Sequence, residues 1–543
     1  MFKNFLFFTF VFFSFSFIIY FSPSVWFVYF PKEYLYFFSL FCVFLQSLIY
    51  WYEKKKRKPI FFVNTNFLWL AVLFGIFIFL MIFFPVRNLN LGDGVLLLEH
   101  LALEAKIFGF HLTMDEILEA LIHSLLYAKF DSFFLNPMQV YRLVSTVSGF
   151  IAICILFYFF RKFEIKFIGY FLVLSSGGMY LFFGYSENYT MVTVGLWYYI
   201  LFVMQEIREN KKRNLKILIP ISIIASVLIL FHLVSGYLLL SLVFLCYHFS
   251  DEGKFIRNAF FCTLVSILFL APVFAYFTFF SDVRFDFTQT HLTNPKFYPL
   301  KKMISIHHFR DILFCIIGSA FLPFVVIIYS ISFKKVALKS FFLKKEIQFL
   351  LTVLLGFSIH GFVHYPQLGF PADWDLLAFY WTPISFLSVF IWIETVAVNE
   401  DNEILPKSVL PLEFVPICLF AGFIFTLNAI YLSKPELSKL EELEKSLTRI
   451  EHFGKSKEAK NLNSVKPAYK KFYLSVSFFL FESGVKLAEL GLQEESLKLL
   501  EENTYFKLEL EKNINSVEPT WQRDFYARMT KYHLEYLKLM QHK

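Results

Sequence analysis

Charge is scarce in this sequence. Only 17% of its 543 residues are Asp, Glu, Lys or Arg, against roughly a quarter in a soluble globular chain. With 57% hydrophobic residues and a mean hydropathy of +0.58, that scarcity excludes a soluble enzyme and a disordered chain. Cysteine is scarce too. Cys42, Cys154, Cys246, Cys262, Cys315 and Cys418 all fall inside apolar runs, so they read as small buried hydrophobes, and both a disulfide framework and a cysteine zinc site are excluded. There is no Gly-rich phosphate loop, and the basic loops are too short to hold a nucleotide domain. Those basic residues follow membrane topology, so nucleic-acid binding is not expected.

What the sequence has in abundance is apolar length. Runs of spanning size recur along most of it, and the 78 Phe residues read as filling lipid-facing positions. About thirteen spans are expected, at 3–22, 34–51, 66–85, 139–160, 167–184, 190–206, 215–231, 234–249, 258–280, 311–332, 347–365, 376–397 and 409–432. The first run lacks a small-x-small cleavage site and exceeds a signal-peptide core in length, so it reads as a membrane helix. The fold class is therefore all-α, a polytopic membrane helix bundle.

Loops after the even-numbered spans hold 21 Lys and Arg residues, such as Lys54–Lys58 with Arg57, and the opposite loops hold 9. The positive-inside rule makes the first set cytoplasmic. Every unusual polar motif then falls on the extracytoplasmic side, which is the expected working face. Residues 433–543 differ in character: 36 of these 111 residues are charged, about a third. They read as a water-exposed helical tail, and thirteen spans put it outside the cytoplasm. The stretch FFLFESGVKLAELGLQEESLKLLEEN has the look of one TPR-like hairpin, although an ordinary helical hairpin fits it equally. The expected organisation is two N-terminal membrane helices (1–65), a transmembrane domain (66–432) with outer loops 86–138 and 281–310, and the tail (433–543).

Four motifs can carry chemistry. In the loop 86–138, Asp93 stands between two glycines, six residues after Arg87. The glycines allow a tight turn and close approach of a ligand, and an aspartate opening an apolar helix also suits an N-cap. Two amphipathic helices are expected after it, at about 94–107 and 113–129, with Glu99, His100, Glu104, Asp115, Glu116 and Glu119 on solvated faces. In GYSENYT, Glu187 stands between Tyr185 and Tyr189 at or just above membrane depth, where an ionisable group faces a cavity or a partner or else caps a short loop; Asn188 suits a turn. In PADWDL, Asp373 and Asp375 flank Trp374, a pair suited to a divalent cation or sugar hydroxyls beside a stacking ring, or to a helix cap and an interfacial anchor. His360 and His364 share a helix face there, more in keeping with a polar helix end than with a metal site. The loop 281–310 gathers Arg284, His291, Lys296, Lys301, Lys302, His307, His308 and Arg310. Such a cluster fits a phosphate or anionic lipid headgroups. His232, after an apolar helix, either contacts a phosphate or ends a span.

This layout resembles the GT-C superfamily of membrane glycosyltransferases over roughly residues 66–400. The resemblance rests on a spanning helix followed by Asp93 and amphipathic surface helices, and on the GYSENY and PADWDL segments. It implies transfer of a sugar from a polyprenyl-phosphate carrier to an envelope glycan, lipid or protein, with inversion, at the outer face of a multi-pass protein of a bacterial inner membrane. Asp93 matches the family's general base or metal-holding aspartate, and Glu187 matches its second acid. If a metal takes part, a divalent cation such as Mg or Mn at Asp93 and Glu187 is what the family implies. Arg87, His232, Lys301, Lys302 and Arg310 are then candidates for the lipid phosphate, and Asp373, Trp374 and Asp375 for substrate. A lipid-linked glycan ligase or polymerase and a polytopic transporter or flippase are the other readings; the latter predicts charges at mid-membrane.

Overall fold

In the computed structural model of the chain, the described residues are 2–21, 31–56, 61–62, 67–89, 92, 94–95, 97–99, 101–102, 116–130, 136–209, 215–250, 254–276, 297–333, 340–364, 378–396, 410–435, 437, 440–441, 443–445 and 447–448. Helices dominate them. The long ones are α1 (Phe2–Phe21), α2 (Lys32–Lys56), α3 (Phe67–Phe83), α4 (Ile117–Lys129), α5 (Pro137–Lys162), α6 (Phe167–Leu174) and α7 (Thr190–Glu209). There follow α8 (Leu218–Phe231), α9 (Leu239–His248), α10 (Phe255–Ala275), α11 (Ile306–Phe333), α12 (Lys345–Val363), α13 (Trp381–Ile391) and α14 (Val415–Leu432). Among the described residues seven helices are long and apolar enough to cross a membrane, and five shorter ones are apolar. Each expected span coincides with a helical segment, and the chain is an integral membrane protein. A two-residue antiparallel pair, Phe61–Phe62 with Leu410–Pro411, ties two connections together.

Without water, a bilayer supplies no partner for a stray polar group, so hydroxyls inside the spans bond back to the helix. Ser39 donates to Leu35 O at 2.7 Å, Ser226 to Ser222 O at 2.8 Å and Ser319 to Cys315 O at 2.6 Å. Van der Waals packing then holds the helices together. Large rings do much of it: Trp197 meets Trp381 at 5.9 Å and Phe386 at 5.7 Å, and Tyr180 stacks on Phe425 at 4.9 Å. Phenylalanine therefore serves both surfaces. Phe37 is 70% exposed, whereas Phe160, Phe182, Phe183 and Phe349 are buried, so the expectation of lipid-facing Phe covers only part of them. The cysteines also divide. Four are buried, Cys418 is half-buried and Cys154 is exposed, because one side of α5 faces outward.

One expected span is broken. Over 167–184 the chain forms α6, bends at Ser175 and Ser176, and continues as a 3-10 turn, Gly177–Phe182. A methyl at Gly178 would overlap the Trp381 indole, so the bend lets this ring sit against backbone. Trp197 Nε1 donates to Thr382 Oγ1 at 3.2 Å beside it.

The polar motifs gather at one end of the bundle, called the upper end here. Val86 N–H donates to Phe183 O at 2.6 Å, and the N–H groups of Arg87 and Asn88 both reach Leu432 O, at 2.8 and 3.2 Å. The first outer loop is thus stitched to the end of the last span. The described part of the tail continues from there. Leu440, Leu443 and Leu447, spaced for one helix face, pack on Leu98, Leu101, Tyr127, Met138 and Tyr141. The tail therefore begins at the upper end. At the lower end, Lys344 pairs with Glu394 at 2.5 Å and Arg208 with Glu346 at 3.7 Å.

Candidate active site

Three carboxylates meet at the upper end: Glu119 in α4, Glu116 at its N-cap, and Glu187. The face of α4 toward the protein consists of Ile117, Glu119, Ala120, His123, Ser124 and Tyr127, all buried, while Leu125 is 49% exposed. Polar and apolar residues share this buried face. The polar residues are packed against protein, while Leu118 and Leu126 are half-buried against neighbouring apolar clusters. Glu116 and Glu119 are therefore not solvated faces, as their amphipathic helix suggests: the Glu119 residue is fully buried and the Glu116 side chain is 13% exposed. The helix runs Ile117–Lys129, a shorter span than 113–129.

Glu119 is held by the start of α7. Its Oε1 accepts from Thr190 Oγ1 at 3.1 Å and from Met191 N–H at 3.2 Å. Burial pushes its carboxyl up to about 8; the Met191 hydrogen bond opposes this and the charge of Glu116 adds to it. At neutral pH it therefore carries a proton. One turn along the same helix, His123 Nδ1 donates to Glu119 O at 2.8 Å, and the ring stacks on Tyr141 with ring centroids 4.0 Å apart. Tyr141 is within electrostatic reach of Glu116, Glu119 and Glu187.

Glu116 joins three elements. Asn188 Nδ2 donates to its Oε2 at 2.6 Å, and His232 Nε2 lies 3.3 Å from its Oε1. His232 ends α8 and caps the next turn, its Nδ1 accepting Val234 N–H at 3.1 Å. Since Nδ1 is an acceptor, the ring hydrogen sits on Nε2 and points to Glu116. Tyr189 stacks on His232 at 5.0 Å, and Phe379 closes over both rings at 5.6 and 5.8 Å.

Glu187, buried, is where the first loop arrives. Gly92 has φ +67°, and a methyl group there would overlap Glu187 Oε1, approach its Cδ to 2.7 Å and reach Tyr185 OH at 2.9 Å. Gly94 faces Ser186 O, with 3.1 Å left for a methyl. Gly92 is thus required by close approach and by its positive φ, whereas Gly94 is only tightly packed. Asp93, between them in sequence, lies outside the described residues, as do Asp373, Trp374 and Asp375. Gly184, at φ +75°, turns the chain just before Glu187, and a methyl there would come 3.0 Å from Arg142 Cγ.

The basic candidates separate. Arg87 is exposed at the upper end, and Arg142, from the second turn of α5, is close enough for the two guanidinium charges to feel each other. Arg142 Nε is buried without a hydrogen bond among the described residues. Its position inside an apolar helix near an end is the signal that marks it in the sequence. Lys301 and Lys302 are exposed on the turn Leu300–Met303, and Arg310 is exposed and bonded to Asp311 at 3.1 and 3.2 Å. His308 Nε2 bonds to Phe362 O at 2.8 Å, which gives it a structural place. The His360 and His364 rings are 4.4 Å apart, beside Tyr237.

Comparison with solved structures finds the crystal structure of ArnT from Cupriavidus metallidurans. The apo state is 11% identical with TM-score 0.39, and the state bound to undecaprenyl phosphate is 12% identical with TM-score 0.41; each covers 81% of this chain and 75% of that one. No family model and no curated protein matches the chain. Scores of that size carry no argument about the site, so its chemistry is read from its own residues.

Those residues are organised for hydrogen bonding. Among the described residues no group of three His, Cys, Asp or Glu side chains is arranged to hold a metal. Both oxygens of Glu116 and one of Glu119 are occupied by protein donors; of the expected metal holders Asp93 and Glu187, Asp93 lies outside the described residues. What the arrangement offers is a cluster of acids in which burial raises the proton affinity of Glu119, with guanidinium groups at the same end of the bundle. Such a set can take a proton and stabilise a departing anion.

Proposed function

We propose that the chain is an inverting membrane glycosyltransferase of the GT-C type, moving a sugar from a polyprenyl-phosphate carrier to an envelope acceptor at the extracytoplasmic face. The observation that carries this reading is the glycine-flanked first loop closing directly on Glu187 within a nest of buried acids. In the proposed step Asp93 takes the proton of the acceptor hydroxyl. The acceptor oxygen forms a bond to the anomeric carbon as the bond from that carbon to the phosphate oxygen breaks. The electron pair leaves with the polyprenyl phosphate, whose growing charge Arg87 and Arg142 stabilise. Glu187 fixes the loop that bears the base, and Glu119, neutral at pH 7, keeps the cluster from accumulating three negative charges. No step is routed through a metal.

The test is transfer of radiolabelled sugar from polyprenyl-phosphate donors to an envelope fraction by purified protein. Asp93→Asn is expected to abolish transfer in a folded, monodisperse sample, by at least a hundredfold if it is the base. Undiminished transfer in that variant refutes the reading. Movement of whole preassembled glycans instead of single sugars converts it to a ligase.

A further inference from the structure

Asn188 has an orientation that nothing but chemistry fixes. An ionised carboxylate only accepts hydrogen bonds, so the group of Asn188 that meets Glu116 Oε2 at 2.6 Å must be its NH2. The carbonyl Oδ1 then points the other way. Asn188 is fully buried, and Oδ1 has no hydrogen-bond partner among the described residues. A buried acceptor left unmade is costly, and native proteins rarely leave one without a role for it.

The orientation is also locked from behind. Val234 N–H occupies His232 Nδ1 at 3.1 Å, which assigns the hydrogen to Nε2. Nε2 then faces Glu116 Oε1 at 3.3 Å, and Glu116 in turn holds the Asn188 amide. A flip of the amide would set Oδ1 against a carboxylate oxygen. Asn188 directly follows Glu187, against which the Gly92 loop is packed, so it sits at the end of the bundle where the proposed chemistry takes place.

We propose that Asn188 Oδ1 accepts a hydrogen bond from one hydroxyl group of the transferred sugar, and that Glu116 and His232 are positioning residues that hold the amide in the accepting sense. This rests on the glycosyltransferase reading. The subsite takes a neutral polyol. It rejects a sugar that lacks that hydroxyl or carries there a group unable to donate, because the buried acceptor is then left unpaired.

The experiment measures binding, which needs no acceptor. Wild-type protein in nanodiscs is titrated with undecaprenyl-phosphate glucose, mannose and galactose, then with the monodeoxy and deoxyfluoro forms of the hexose bound most tightly. One position is expected to weaken Kd about tenfold in the wild type. In Asn188→Ala that gap shrinks to within about twofold, while discrimination at the other hydroxyls is kept. Glu116→Gln is expected to lose the same gap without touching the sugar, since a glutamine amide lets Asn188 turn its NH2 inward. A merely structural role would weaken every analogue alike. Equal discrimination in wild type and both variants overturns the assignment and leaves the glycosyltransferase reading standing. Failure of folded wild-type protein to bind any of the three hexose donors overturns that reading and the assignment with it. If Asn188→Ala does not fold, Glu116→Gln and Asn188→Ser decide the matter by the same comparison.

Discussion

Replacing Glu119 by Gln isolates the energetic cost of the buried acid. Glu119 lies on α4, outside the membrane-spanning helices, and burial is the first cause that lifts its carboxyl from the usual 4.5 to about 8. Between those two values the folded chain keeps a proton that the unfolded chain releases. Stability therefore falls as pH rises through that window, by about 1.4 kcal/mol per pH unit, and levels off above about 8. The full drop is on the order of 4–5 kcal/mol for a group with no solvent to screen it. Gln has nearly the same shape and keeps an Oε1 to accept from Thr190 and Met191, but it has no proton to lose. The assay is thermal unfolding in detergent from pH 4.5 to 8.5 for wild type and Glu119→Gln. The two are expected to coincide near pH 4.5 and to diverge steadily toward pH 8, with the variant the more stable. All other titrating groups are common to both proteins and cancel in the difference. Parallel curves across that range would refute a raised proton affinity at Glu119.

Gly92→Ala forces a methyl onto the Glu187 carboxylate at a positive φ, and transfer activity is expected to fall about a hundredfold from misplacement of the loop. Gly94→Ala has only a backbone oxygen to displace slightly and is expected to lose less than about fivefold, so the ratio of the two rates is the measurement. Leu443→Ala empties a site that is 2% exposed and should loosen the upper end by about 2–5 kcal/mol. Hydrogen exchange should quicken in 94–102 and 117–128 and remain unchanged at the lower end around Lys344 and Glu394.

The spans were legible because a bilayer requires some twenty apolar residues per crossing and hydropathy counts them. The break after Leu174 was not, since Ser175, Ser176, Gly177 and Gly178 dilute the hydropathy of 167–184 too little, and the need for it comes from Trp381, two hundred residues away. Glu187 and the GDG turn could be singled out as polar interruptions at helix ends. Glu116, Glu119 and His123 could not be separated from an ordinary wet face, because a 3.6-residue period reports which residues share a side and not which side is buried. On α4 the protein covers the side that bears Glu119 and His123, which period alone cannot reveal. Asn188 looked like a turn residue because its significance depends on Glu116, whose approach is a matter of tertiary contact. Arg142 was passed over inside a run counted as membrane, although a lone charge near the end of such a run is itself a signal.

Leu432, which receives the N–H groups of Arg87 and Asn88, is the final residue of the last span, and Leu440, Leu443 and Leu447 follow it. The loop that carries Asp93 emerges early in synthesis, yet its anchors at Leu432, Leu440, Leu443 and Leu447 are made long after it. A nascent chain stalled or cleaved before Leu432 has inserted nearly every helix and still lacks the clasp on its first loop. Synthesis of the span that ends at Leu432 thus becomes a condition for tying down the first outer loop.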